Sequence, residues 1–235
     1  MKSILGLFLS ACLLCPALAA DFGAYQLDLP SKDLISGPEL YINHRFFGPI
    51  DYRAAETMFG TELGANMSIG FGFPLSDRLE ASLFRSVLHR SFQLSAKYKL
   101  CDQGSLFLGA VGKTANGITR NKNNVVIGSV FALPVKAAIL SIVPSVVIAD
   151  DTSYTVGLNA NFPLREDLQS MIEYIPSFSS QNSRYPVISA GIKYRIAVHY
   201  FTLMLTNTTY SSFDEVIRGS TDNVFHLGFN IVVMF

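Results

Sequence analysis

Few side chains in this sequence could carry acid–base, nucleophilic or metal chemistry, and their spacing argues against all three. The four histidines are His44, His89, His199 and His226. A nucleophile needs a base within hydrogen-bond reach, yet none of the four falls in a His-x-Ser-Asn-Gly arrangement. No Cys/His cluster has metal-ligand spacing, and no Gly-rich loop sits at a strand–helix junction where it could cradle phosphate. No catalytic residue, metal or cofactor is therefore expected, and the chain is not expected to be an enzyme. A lipid-modifying activity built on His44 or His226 is the enzymatic alternative. These two are expected at a rim, on the first and last of the strands described below. Closing the sheet would make them neighbours, and structural histidines are the plainer reading.

A second group is defined by phase. Arg45, Glu62, Glu80, Lys97, Lys99, Glu173, Lys193 and Arg195 fall on the polar phase of segments whose other phase is apolar. The clearest segment is 62–73, where Leu63, Ala65, Met67, Ile69, Phe71 and Phe73 alternate with Glu62, Gly64, Asn66, Ser68, Gly70 and Gly72. A period of two belongs to a strand with two unlike faces. The polar face here is mostly small, which suits a crowded barrel interior better than open water. The eight charged residues are therefore candidates for lining that interior. Because both signs are present, they could pair across a closed lumen. Alternatively Lys97, Lys99, Lys193 and Arg195 could tune a polar pathway toward small anions, with the carboxylates opposing them.

The elements that would position these residues follow from the same period. The last eleven residues place Phe225, Leu227, Phe229, Ile231, Val233 and Phe235 on every second position. A chain that stops on an aromatic residue resembles the closing strand of a Gram-negative outer-membrane barrel, whose terminal Phe is read by the insertion machinery. The last strand of a soluble sandwich is the alternative. Composition favours the barrel: charged residues are 15% of the chain, against ~25% in ordinary soluble domains. No segment past the leader described below reaches the ~18 consecutive apolar residues of a membrane-spanning helix. Lys plus Arg (18) equals Asp plus Glu (18), so no basic excess points to nucleic acid.

Twelve strands are expected, with ten or fourteen as alternatives. They lie at about 39–47, 62–73, 79–85, 91–100, 105–111, 125–133, 139–149, 154–162, 168–175, 187–196, 199–207 and 225–235. Pro144 predicts a bulge or register break within its strand. Links at 74–78, 101–104, 134–138, 163–167 and 197–198 are short, whereas 48–61, 112–124, 176–186 and 208–222 are long; the third and seventh links are short exceptions. Short periplasmic turns alternating with long outer loops mark an all-β, closed, antiparallel up-and-down transmembrane barrel.

Ahead of the barrel, Met1-Lys2, the apolar run Ile4–Leu14 and Ala17-Leu18-Ala19 predict a cleaved signal peptide over 1–20. The alternative is a lipobox, Leu9-Ser10-Ala11-Cys12, which would leave Cys12 lipidated. Residues 21–37 are expected to be a periplasmic tail, and 38–235 the barrel.

Several short motifs carry a family resemblance: His44-Arg45-Phe46 within 41–47, Met58-Phe59-Gly60, Leu75-Ser76-Asp77-Arg78-Leu79, Arg85-Ser86, Lys97-Tyr98-Lys99-Leu100 and Gly228-Phe229-Asn230-Ile231. With them the chain resembles a family of predicted outer-membrane β-barrels of unknown function. The resemblance supports the fold and supplies no catalytic residue. The expected role is an integral outer-membrane barrel acting as a small pore or transporter for a polar solute. A barrel with a filled lumen, structural or binding through its loops, is the alternative. Expected partners are outer-membrane lipids, periplasmic chaperones and the insertion machinery, the last through Phe235; no nucleic acid is expected.

Overall fold

The computed structural model describes residues 26–51, 56–88, 90–113, 122–179 and 184–235. The expected leader, Cys12 and His89 lie outside them. The strands are β1 (Glu39–Pro49), β2 (Ala65–Ser76), β3 (Leu79–Ser86), β4 (Ser91–Cys101), β5 (Gly104–Lys113), β6 (Lys122–Val135) and β7 (Ala138–Ile148). They continue as β8 (Ser153–Arg165), β9 (Leu168–Ile175), a two-residue β10 (Phe178–Ser179), β11 (Val187–Ile196), β12 (His199–Thr206) and β13 (His226–Met234). Leaving out β10, which only bridges onto β8, each strand pairs antiparallel with the next one along the chain. β1 then pairs with β13, Glu39 opposite Met234, and the sheet closes. The result is the twelve-stranded up-and-down barrel that the loop lengths predict. Closure leaves no row of unpaired amides for lipid to strand.

The two-residue period divides the wall into faces. On β2, Met67, Ile69, Phe71 and Phe73 are exposed on the outer face, while Asn66, Ser68, Gly70 and Gly72 are buried inside. The small inner residues make room for rings from neighbouring strands. A Cβ on Gly70 would lie 2.2 Å from the Phe84 ring, and one on Gly128 would lie 2.3 Å from Phe107.

Three expectations are corrected. Glu62 lies in a 3-10 turn, Met58–Leu63, and is exposed rather than lumenal. Gly64, at φ 81°, breaks the backbone between that turn and β2, so the alternation in the sequence starts before the strand does. Pro144 causes no register shift. Its ladder to β8 runs straight through, and the ladder to β6 resumes in register beyond it, from Gly128 opposite Ser145 to Phe131 opposite Ile142. A proline removes one donor, and neighbouring pairs on a closed wall hold the register.

The third correction matters most for function. The segment expected to be a periplasmic tail enters the barrel: Gln26, Leu27, Asp28, Leu29, Ser31 and Ile35 are all buried. Its leucines meet an apolar interior, and its Asp28 pairs with the buried Arg45. From the long-loop end, the segment after β12 also folds inward and forms α1 (Phe213–Arg218). Phe213, Val216 and Ile217 of α1 join Leu29, Phe107 and Val143 in one buried apolar cluster.

A candidate site inside the lumen

β1 aims Glu39, Tyr41 and Arg45 inward, β9 contributes Glu173, β11 contributes Ser189 and Lys193, and β13 contributes Asn230. Arg45 is 1% exposed and Glu173 is 0% exposed. A charge so deep needs partners, and the N-terminal segment supplies them. Arg45 Nη2 lies 2.8 Å from Asp28 Oδ1, while Ser189 Oγ donates to Asp28 Oδ2 at 2.8 Å. The two carboxylate oxygens of Glu173 accept from the backbone amides of Leu27 and Asp28, both at 2.9 Å. Asn230 completes the grip, accepting from Arg45 Nη1 at 2.7 Å and donating to the Leu27 carbonyl at 3.0 Å. These contacts grip the segment by its backbone and by one carboxylate.

A second ionic cluster lies toward the short-turn end. Glu80 and Lys97 are cross-strand partners on β3 and β4, 3.1 Å apart and both buried. They also hold the entering segment: Glu80 accepts from the Ile35 amide at 2.8 Å, and Lys97 donates to the Asp33 carbonyl. Lys193 sits 5.2 Å from the centre of the Tyr200 ring, a cation–π distance.

At the long-loop end, α1 is tied down by charge as well as by packing. Lys113 lies 2.9 Å from Asp214 and also pairs with Glu215; Arg184 reaches Glu215 at 2.9 Å; Asn124 donates to Asp214 at 2.7 Å. Burial alone would raise the Glu215 carboxyl, but Lys113 and Arg184 outweigh it and pull the group down to about 2.

Between segment and wall there remains a cavity of about 30 Å³, bordered by Asp28, Tyr41, Arg45, Lys193, Thr202 and Asn230. That is room for a water or two. The Nε of Arg45 is buried and has no hydrogen-bond partner among the described residues.

Of the residues expected in the lumen, Arg45, Glu80, Lys97, Glu173 and Lys193 are buried there. Lys99 and Arg195 sit at the short-turn rim instead, where Lys99 is 3.3 Å from Asp102 and Arg195 donates to the Glu166 carbonyl at 3.3 Å. The expected histidine pair does not form, although β1 and β13 are neighbours. His44 lies mid-strand opposite Phe229, on the outer face, and stacks on its ring at 4.8 Å. His226 is an inward residue at the loop end, 3.2 Å from the Gly48 carbonyl. The phase that separates inside from outside also separates these two residues. Phe235 is exposed, and its amide donates to the Pro38 carbonyl at 3.0 Å.

Sequence reasoning missed Asp28, Glu39, Asp214 and Glu215. Glu39 was legible, since it shares the phase of Arg45 on the same strand. The other three lie in segments without a period, and nothing local marks such segments as turning inward.

The family described as membrane bound beta barrel domain (DUF5777) matches residues 30–124 and 129–235. No curated protein matches the sequence. Among solved structures, the chain is similar to the NanC porin, with TM-score 0.51 and 11% identity over 83% of this chain and 98% of that one. It is also similar to the KdgM porin, with TM-score 0.53 and 8% identity over 84% and 99%. At such identities the likeness concerns the fold alone.

Proposed function

The chain belongs to this membrane-bound β-barrel family and lies in the bacterial outer membrane, and from that premise we propose that it is a small-solute conduit held shut by its own N-terminal segment. One observation carries this reading. Residues 26–35 fill the lumen yet contribute no strand to the wall, so their departure costs the barrel none of its strand ladders. Their withdrawal would bare Arg45, Glu80, Lys97, Glu173 and Lys193 along one path, three cations and two carboxylates whose arrangement would set the solute preference. His44 and His226 point to opposite faces, so the conduit reading is preferred to a lipid-modifying one.

A second reading is favoured by the apolar cluster that joins Leu29 to α1. In it the lumen is permanently filled and the outer loops carry the function. Single-channel recording of the refolded protein beside an Asp28→Arg variant separates the two. The substitution turns an ion pair with Arg45 into a like-charge contact, which costs several kcal/mol in a buried setting. The conduit reading expects a closed wild type and a steadily conducting variant. A variant that is folded by heat-modifiability and passes no current leaves the filled-lumen reading standing.

A further inference from the structure

The lumen wall grips its own segment as a receptor grips a peptide. Glu173 takes two successive backbone amides, Asn230 takes a carbonyl, and Arg45 with Ser189 takes one carboxylate. Of these three contacts, the carboxylate one reads a charged side chain, while Leu27 and Leu29 are received by apolar pockets of the wall beside Gly191 and Gly157. The carboxylate contact is incomplete. Asp28 reaches Arg45 through Nη2 alone, and the buried Nε has no partner among the described residues. A guanidinium binds a carboxylate best through two parallel N–H donors. The cavity of about 30 Å³ borders both Arg45 and Asp28. The site therefore holds its internal occupant with one bond fewer than an unconstrained carboxylate could make.

We infer that Arg45, Glu173, Ser189 and Asn230 form a binding site for a short acidic peptide, occupied at rest by Leu27-Asp28-Leu29 and open to competition by an external peptide of the same chemistry. This rests on the reading that the segment can leave the lumen. A ligand with an acidic side chain following two free amides satisfies Glu173, Arg45 and Ser189 together. Replacing that acid by an amide leaves Arg45 buried without its counter-charge, and discrimination arises there. The occupant of the lumen is thus a tethered competitor, and a peptide that replaces it works as both ligand and opener.

The chain contains no tryptophan, so a tryptophan-bearing probe gives a fluorescence signal of its own. Ac-Leu-Asp-Leu-Gly-Trp-amide is titrated into the full mature barrel in detergent, beside the same peptide with Asn in place of Asp. The Asp peptide is expected to bind saturably and at least ~10-fold more tightly, about 1.4 kcal/mol. The Ser189→Ala barrel, which removes one donor and leaves Arg45 paired, is expected to narrow that ratio. The more uptake is driven by detergent partitioning, the more the uncharged Asn peptide gains, so preference for Asp separates the two. Equal binding of both peptides, no saturable binding, or an unchanged ratio in Ser189→Ala, each in a heat-modifiable barrel, overturns the inference. Failures of the two proposals are distinguishable. Selective binding with a silent Asp28→Arg barrel sinks the conduit and keeps the site. Current through Asp28→Arg without selective binding does the reverse.

Discussion

Among the described residues two pieces of chain fill the lumen, and they are held in different ways. The N-terminal segment enters from the short-turn end; its buried Leu27, Leu29 and Ile35 are spread over three separate apolar clusters, and between them polar groups grip it, through Asp28 on Arg45 and through backbone amides on Glu173 and Glu80. The helix α1 enters from the long-loop end and buries three large apolar side chains, Phe213, Val216 and Ile217, against the wall. A further ionic network then fastens it through Lys113, Arg184 and Asn124. Apolar burial is non-directional and is lost only when the whole packed face separates. A few directional contacts can be exchanged singly for equivalents on another ligand or on water. Under the proposed conduit the two fillings therefore take different roles: α1 is the fixed constriction and the segment is the removable closure.

The largest expected effect is the opening of the conduit by Asp28→Arg, which attacks the removable side. The matching attack on the fixed side is Phe213→Ala. Truncating this buried ring should cost about 3 kcal/mol of local stability. It should make α1 cleavable by protease while the barrel stays closed, because the segment is still in place. If Phe213→Ala alone conducted as strongly as Asp28→Arg, the assigned roles would be reversed.

Acid should act on the helix side in a defined window. Glu215 is held down at about 2, below its ordinary 4.5. Its stabilisation is therefore fully present above about 4.5 and is lost as pH falls toward 2. Protease resistance of α1 should be flat from pH 8 to 5, fall below about 4.5, and lose that slope in Glu215→Gln.

The smallest effects separate two lysines that the sequence alone treats alike. In the opened Asp28→Arg barrel, Lys97→Glu should shift ion preference toward cations, since Lys97 is buried on the path. Lys99→Glu should change little, because Lys99 is a rim residue paired with the exposed Asp102, and such pairs contribute ~0–1 kcal/mol. Reversal potentials in asymmetric salt read both.

The wall was legible because a barrel strand writes its phase into every second residue. Leu168–Ile175 and Val187–Ile196 have the bounds that the period predicts, and the lumenal Arg45, Glu80, Lys97, Glu173 and Lys193 follow from parity alone. Parity gives a face but not a depth, which is why Lys99 and Arg195, in the right phase, turned out to be rim residues. The lumen's contents were not legible. Residues 26–37 and 208–222 have no period, and their destination is decided by partners far away in sequence, such as Glu173 for Leu27 and Phe107 for Phe213. A composition read as a polar tail or a polar loop describes such a segment correctly and still misplaces it.

The most direct test of the account is amide hydrogen exchange on the intact wild-type barrel, resolved to the residue. It compares Leu27 and Asp28, whose amides rest on Glu173, with the ladder amides of β12. If the segment leaves while the wall stays whole, its amides exchange by local opening, ~100-fold or more faster than the ladder. If they exchange only together with β12, the segment is part of the barrel's folded core, and the closure does not open.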